Sequence, residues 1–202
     1  MNKQQFKTST RNFLKKWWCS ILLLPFIYYS IDQVYMALRY NIFFAISYDF
    51  PFPISIIHLF VRNFVLIVHE AGHTFFSLLG SRFITILGGS LFQIILPALI
   101  LIYFWYNRQK IGIQLSLFLL GFSWFDVAIY AADGSSRQLP LIGGLGNEAH
   151  DWYNLLNSMN ALEHDMLFAI VFVAAGLICY LIALVLPLFF KQYKTVNLDM
   201  KL

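Results

Sequence analysis

The feature that most constrains this chain is a succession of long apolar stretches with few charged residues. Of its 202 residues, 59% are hydrophobic and only 12% are charged, whereas about a quarter of the residues in a soluble domain are charged. A helix of about 20 apolar residues is long enough to cross the hydrocarbon core of a bilayer. We therefore expect an all-α, multi-pass transmembrane helix bundle with the lipid bilayer as its surroundings.

The bundle is expected to have five or six spans, of which five are apparent at about 17–38, 54–79, 90–106, 112–132 and 166–190. Between the second and third of these, the β-prone run Phe-Ile-Thr-Ile-Leu at 83–87 lies between glycines, which favours a short β-hairpin. The chain thus divides into a basic flank, anchor helix and loop (1–53), a membrane core (54–135), a polar, glycine-rich loop (136–165), and a C-terminal helix and tail (166–202).

The basic residues carry a topology signal. The first span is preceded by five cations and no acid: Lys3, Lys7, Arg11, Lys15 and Lys16. A basic flank beside an apolar helix is typical of a cytoplasmic terminus rather than of a nucleic-acid-binding arm, so no nucleic acid partner is expected. We place the chain in a bacterial cytoplasmic membrane as an integral protein.

Five alternating spans conflict with this signal at the other terminus. They would put the lysines of the tail on the opposite side of the membrane, against the positive-inside tendency: Lys191, Lys194 and Lys201. Either one apolar piece is re-entrant or a sixth membrane segment lies around residues 41–60, and the sequence leaves both open.

The second span contains the sequence His69-Glu70-Ala71-Gly72-His73. Residues four apart lie on one face of a helix, so His69 and His73 can offer two imidazoles to one metal ion. Glu70 then lies beside the position that a catalytic zinc keeps open for water, where it can act as a general acid/base. Ionisable groups inside a membrane are costly and therefore indicate a functional site.

Two of the predicted helices carry a polar stripe along one face. The second span has His58, Arg62, His69, His73 and Ser77, and the fourth has Ser116, Ser123, Asp126, Tyr130 and Asp133. Lipid penalises polar groups, so we expect the two stripes to face each other. A catalytic zinc needs a third protein ligand, and an aspartate of the fourth span is in a position to supply it.

This arrangement resembles the site-2 protease family of intramembrane zinc metallopeptidases over roughly residues 54–135. The shared features are the HExxH helix, a glycine-bearing segment after it, a second core helix, and Asp133-Gly134 at the end of a third. The resemblance implies a three-helix core, zinc (Zn2+) as cofactor, His69, His73 and Asp133 as its ligands, and Glu70 as catalytic residue. The chain would be a minimal member without a PDZ domain. It would also be a divergent one, because Ile129–Ala132 replace the family's usual residues before the Asp-Gly pair.

Two other sources of the third ligand remain open. Asp126 lies deeper on the same stripe, and His150-Asp151 lie where the loop can fold back to the membrane. A membrane zinc protease that uses a downstream glutamate is a further enzyme class, with only Glu148 or Glu163 to supply that ligand.

The implied function is hydrolysis of peptide bonds in transmembrane or membrane-proximal segments of a membrane protein or peptide substrate. The alternative class is a non-catalytic membrane scaffold, or a metal carrier, that uses the same fold. A scaffold needs neither Glu70 nor an open coordination position.

Overall fold

The computed structural model describes residues 3–41, 50–141, 144 and 146–190, with side chains from residue 9 onward. Six α-helices follow one another in these residues: α1 (Lys3–Tyr40), α2 (Ile54–Ser77), α3 (Arg82–Tyr106), α4 (Lys110–Ala132), α5 (Asp151–Ser158) and α6 (Asp165–Val185). Three single-turn 3-10 helices at Asn147–Ala149, Leu162–His164 and Leu186–Leu188 complete the described secondary structure.

Five of these helices are long and apolar enough to cross a membrane, namely α1, α2, α3, α4 and α6. The prediction of an all-helical chain with five apolar spans is therefore confirmed for the described residues. The central helix is α4, because 72% of its most apolar stretch is buried, against 28% or less in the other four. It packs against α6, α3 and α1, whereas α2 packs mainly against α3.

The contacts between α1 and α4 show that these helices run in the same direction. The ammonium group of Lys110, the first residue of α4, donates to the carbonyl oxygen of Lys16 in the first half of α1 (3.1 Å). One turn later the Gln114 amide donates to Ser20 (2.9 Å). We call this end of the bundle, where α1 and α4 begin, the basic end.

Helix α6 runs in the opposite direction to α4. The Ala183 carbonyl, near its last turn, accepts from Gln114 (2.8 Å) at the basic end, and Asp165, its first residue, accepts from the Ser135 backbone N–H (3.1 Å) just beyond α4. We call this second end, where α4 ends and α6 begins, the acidic end; α5 lies there too, because His150 donates to Asp133.

Helix α2 runs parallel to both α1 and α4. In the first turns of α2, Nε2 of His58 lies 3.0 Å from the side-chain oxygen of Gln33 in α1. Farther along α2, the ring of His69 lies tilted against the ring of Tyr130 in α4, with centroids 5.8 Å apart. Helix α3 follows through residues 78–81 and returns antiparallel. Of the five long helices, α1, α2 and α4 therefore point one way and α3 and α6 point the other way.

This direction of α2 bears on the charge pattern. Because α1 and α2 are parallel, α1 begins and α6 ends at the same end of the bundle. Lys191, Lys194 and Lys201, on which the conflict with the positive-inside tendency rests, lie outside the described residues. The segment 41–60, in which an additional membrane segment was considered, includes residues 42–49, which lie outside the described residues. Phe50 packs against Tyr29 of α1 (ring centroids 5.0 Å apart) and His58 (4.5 Å), so α2 begins beside the middle of α1.

The predicted hairpin at 83–87 is wrong, because these residues form the first turns of α3. Ser81 has an extended backbone and its hydroxyl accepts from the Ile84 N–H (3.5 Å), which starts the helix at this point. A helix satisfies its backbone groups internally, and within a bilayer this requirement outweighs the β-propensity of the side chains.

Helices α2 and α3 approach closely at two glycines. A Cβ atom on Gly72 would lie 2.3 Å from the Gly88 carbonyl oxygen and 2.7 Å from the Phe92 Cβ atom. Small residues let membrane helices pack with their backbones near contact. This contact fixes the register of α2 against α3 on the face that carries the histidines.

We expect Gly72→Ala to lower the unfolding free energy by about 1–3 kcal/mol, because the added methyl group has no space between the two backbones. Ala71→Leu is the matched control, since Ala71 is exposed on the neighbouring face of the same turn. Thermal unfolding in detergent measures both variants. Equal melting temperatures for the two variants would contradict the close packing of α2 on α3.

Candidate metal centre

Three side chains converge at the acidic end of the bundle. The Nε2 atoms of His69 and His73 lie 3.1 Å apart. The Oδ2 atom of Asp151 lies 3.0 Å from Nε2 of His69 and 3.1 Å from Nε2 of His73. His69 and Asp151 are buried, so water screens little of the interaction among these atoms.

The hydrogen bonds on the far side of the imidazoles fix their tautomers. Nδ1 of His73 lies 2.9 Å from the Thr85 carbonyl oxygen. A carbonyl oxygen only accepts, so the proton is on Nδ1 and Nε2 of a neutral His73 carries a lone pair. Nδ1 of His69 donates in the same way to the Gln93 side-chain oxygen (3.0 Å), and the amide of Gln93 is oriented because its nitrogen donates to Asp126 (2.7 Å).

Two imidazole lone pairs and a carboxylate oxygen thus point at one another within 3.1 Å. Three acceptors at this distance repel one another unless a metal ion lies among them or a proton on one Nε2 atom makes a histidine–carboxylate ion pair. A tetrahedral zinc ion with bonds of about 2.0–2.1 Å keeps its ligands about 3.3 Å apart, and its histidines typically donate their other N–H to a carbonyl or carboxylate. The donor set, its spacing and its outer hydrogen bonds fit a zinc ion.

Gly89 of α3 keeps the space beside these nitrogens open. A Cβ atom at this position would lie 2.6 Å from Nε2 of His73 and 2.7 Å from Nε2 of His69. Only glycine therefore fits beside the two histidines without filling the volume that an ion and its open coordination position require.

Glu70 lies beside the same cluster. Its carboxylate and the ring nitrogens of His69 and His73 lie within 4.8 Å of one another. Asp151 is closer to both histidines, so it is the better third ligand, and the exposed Glu70 faces the adjoining cavity. That cavity has a volume of about 260 Å³ and is lined by polar groups of α1, α2, α4 and α5 together with apolar residues of the 139–149 connection.

The two predicted polar stripes meet at this cavity in part, since five of their ten members line it; the other five do not: His58, Ser77, Ser116, Ser123 and Asp133. Arg62, His69 and His73 of α2 and Asp126 and Tyr130 of α4 all line it. Ser116 is directed elsewhere, because its hydroxyl donates to the Gly112 carbonyl of its own helix (2.7 Å).

The structure does not place Asp133 with the histidines, so the expectation that it is the third ligand is not supported. Its carboxylate is fully buried and accepts hydrogen bonds from His150 (3.1 Å), Ser136, and the backbone N–H groups of Gln138 and Leu139 (2.8 Å each). Burial raises the pKa of Asp133, but these hydrogen bonds outweigh burial and hold the pKa below its usual value.

Asp133 instead positions the residue that does reach the histidines. Nε2 of His150 donates to Asp133, and Nδ1 of His150 accepts from the Tyr153 N–H (3.1 Å) as the N-cap of α5. Asp151 is the first residue of α5, and its backbone N–H donates to the Tyr130 hydroxyl (3.0 Å). The end of α4 thus holds the start of α5 over α2.

Sequence reasoning did not assign Gly89, Thr85 or Tyr130 a part in this centre. The Gly88-Gly89 pair inside a membrane helix is the one signal in the sequence that could have indicated a close approach there. The Thr85 contribution is a backbone carbonyl, which no side-chain pattern reveals.

Comparison with known proteins finds no family model, curated protein or solved structure that matches this chain. The support for a metal centre is therefore the geometry of these side chains.

We expect Gly89→Ala to abolish zinc binding while the helix remains intact, because alanine has a higher helix propensity than glycine but its methyl group would occupy the space beside both Nε2 atoms. Zinc content by plasma mass spectrometry and helicity by circular dichroism measure the two effects in the same preparation. A folded Gly89→Ala protein with one zinc per chain would rule out the proposed ion position.

Asp151→Ala and Asp133→Asn distinguish a ligand from a residue that positions it. Asp151→Ala removes a coordinating oxygen and is expected to reduce zinc content to the background of His69→Ala. Asp133→Asn weakens the support of His150 and is expected to lower zinc affinity about 10–100-fold, the usual effect of an outer hydrogen-bond partner. Competition with a chelator measures both affinities; full zinc content in Asp151→Ala with complete loss in Asp133→Asn would restore Asp133 as the ligand.

Proposed function

We propose that this chain is a membrane-embedded zinc metallopeptidase that hydrolyses peptide bonds in transmembrane or membrane-proximal segments. The observation that carries the proposal is the convergence of three lone-pair donors beside a free glutamate. His69, His73 and Asp151 supply three ligands, which leaves the fourth position of a tetrahedral ion for water or substrate. Structural zinc sites, by contrast, use four protein ligands and have no need of an adjacent base.

A zinc ion held there would lower the pKa of a bound water molecule and polarise a peptide carbonyl group. The chain's own contribution to the proton transfers comes from Glu70. Its carboxylate lies within 4.8 Å of the histidine nitrogens, so it is close enough to take a proton from a water molecule in the cavity. In the same position it can return this proton to the leaving amine.

The walls of the cavity suit an extended peptide. Leu66, Ile129 and Leu139 supply apolar surface, while Gln33 and Arg62 supply polar groups on the side away from the histidines. A transmembrane helix has no free backbone groups, so a substrate must be locally unwound before its peptide bond reaches Glu70. The polar lining keeps water at membrane depth, which the hydrolysis consumes.

We also propose a site-2-protease-like relation for the core, in which α2 carries the HExxH sequence and α3 and α4 flank it. The third ligand would then differ from that implied by the resemblance, because α5 supplies Asp151 in place of the Asp-Gly aspartate. Gln93 and Thr85 of α3 would orient the two histidines.

We expect Glu70→Gln to keep one zinc per chain and to lower the cleavage rate by about 10²–10⁴-fold, because it removes proton transfer without removing a ligand. Cleavage of a mixed-sequence library of quenched fluorescent peptides by the purified protein in detergent measures activity. Glu163→Gln is the matched control, since Glu163 is an exposed acid outside the cavity lining.

Four outcomes would contradict the proposal in different ways. Cleavage that survives in Glu70→Gln would exclude Glu70 as the base. Zinc without cleavage of any peptide would favour a binding or scaffold role, and zinc flux into liposomes would favour a metal carrier. Protein free of zinc after preparation without chelators would remove the metal centre itself.

A further inference from the structure

The two ends of the bundle differ in charge. Among the described side chains, the basic end carries five cations and no acidic residue: Arg11, Lys15, Lys16, Arg108 and Lys110. The acidic end carries three arginines, Arg39, Arg82 and Arg137, together with five acids, Asp133, Glu148, Asp151, Glu163 and Asp165. This difference in charge follows from the directions of the helices, which determine the end of the bundle at which each charged residue lies.

Short connections with an excess of lysine and arginine stay in the cytoplasm. At the basic end this description fits both the N-terminal part of α1 and the connection 107–109 between α3 and α4. At the acidic end the described side chains include only three cations, against five at the basic end, and the connections there include the longest one, between α4 and α5. The charge pattern therefore orients the whole bundle and not its first helix alone.

The metal centre lies in the half of the bundle near the acidic end. His73 is four residues from the end of α2 at Ser77, a rise of about 6 Å along the helix axis. The third ligand, Asp151, belongs to α5, which is too short to cross a membrane and packs at this end. The cavity beside Glu70 is bounded by Leu139, Pro140 and Ala149 of the α4–α5 connection, so it lies directly beneath the surface formed at the acidic end.

We infer that the basic end faces the cytoplasm and that the metal centre is reached from the opposite, non-cytoplasmic face. This inference rests on the proposed function for its substrate class: peptide segments that are exposed at, or unwound just below, the non-cytoplasmic membrane surface. Cytoplasmic proteins and the cytoplasmic ends of transmembrane segments are then not substrates.

Single cysteines at two matched asparagines test the orientation. Asn107 in the α3–α4 connection and Asn157 at the end of α5 are both exposed. Each is replaced by cysteine in a chain that also carries Cys19→Ala and Cys179→Ala, so that the introduced cysteine is the one that reacts. The two native cysteines form no disulfide, so their replacement breaks no covalent link. Intact cells are treated with a membrane-impermeant maleimide before and after permeabilisation.

We expect Asn157→Cys to be labelled in intact cells and Asn107→Cys to be labelled only after permeabilisation. The reverse pattern, or labelling of both cysteines in intact cells, would overturn the inference. Zinc content of each variant confirms that the centre is still assembled. The labelling does not depend on catalysis, so its result stands whether or not the chain proves to be a peptidase.

Oriented membranes test the substrate class. The quenched peptide library is added to right-side-out and to inside-out membrane vesicles, each with a Glu70→Gln control. Cleavage in right-side-out vesicles alone supports the inference, and cleavage in inside-out vesicles alone overturns it. Absence of cleavage in both, with the same absence in detergent, refutes the peptidase function while the labelling decides the orientation separately.

Discussion

Two imidazole nitrogens and a carboxylate oxygen that meet within 3.1 Å need a metal ion or a shared proton between them, and this constraint explains much of the surrounding structure. The Nδ1–H of His73 donates to the Thr85 carbonyl oxygen and the Nδ1–H of His69 donates to the Gln93 side-chain oxygen, which turns both Nε2 atoms toward Asp151. In the low dielectric of a membrane bundle these repulsions are stronger than in water. A cation removes the repulsion and also satisfies groups that lipid would otherwise penalise.

The third ligand that we propose comes from outside the long helices, and this has consequences for how such a centre would assemble. Asp151 reaches the histidines because His150, just before it, is anchored on the buried Asp133 at the end of α4. The same Asp133 accepts from backbone N–H groups of the connection that follows α4. The α4–α5 connection, the start of α5 and the metal centre are therefore parts of one hydrogen-bonded unit.

The sequence predicted the parts of the site that depend on local periodicity. His69, Glu70 and His73 follow from i, i+4 spacing on a helix, and the facing stripes follow from the cost of polar groups in lipid. The third ligand did not follow, because its position depends on how a connection of about eighteen residues folds back. Asp133 was expected to be the third zinc ligand because Asp133-Gly134 resembles a two-residue motif of the family. Asp151 has no local sequence pattern that marks it as a ligand.

The fold was predictable to a similar extent and for similar reasons. Five apolar helices follow from length and hydropathy, but the helix start at Ser81 overrode the β-propensity of residues 83–87. The parallel direction of α1 and α2 was left open, because alternation is only the default for consecutive spans. The charge pattern of the two termini conflicts with this default, and in the described residues the consecutive helices α1 and α2 run parallel.

Helix α2 also shows why a membrane bundle can place ionisable groups at such a site. Its glycine contact with α3 is close, whereas its links to α1 and α4 are mostly polar: His58 to Gln33, the rings of His69 and Tyr130, and the shared lining of Arg62 and Asp126. Polar groups that line a cavity can form hydrogen bonds with water in place of one another, whereas apolar side chains cannot. The side of α2 that packs by glycine therefore sets the geometry of the two histidines, and the side that faces the cavity stays accessible to water and to an extended chain.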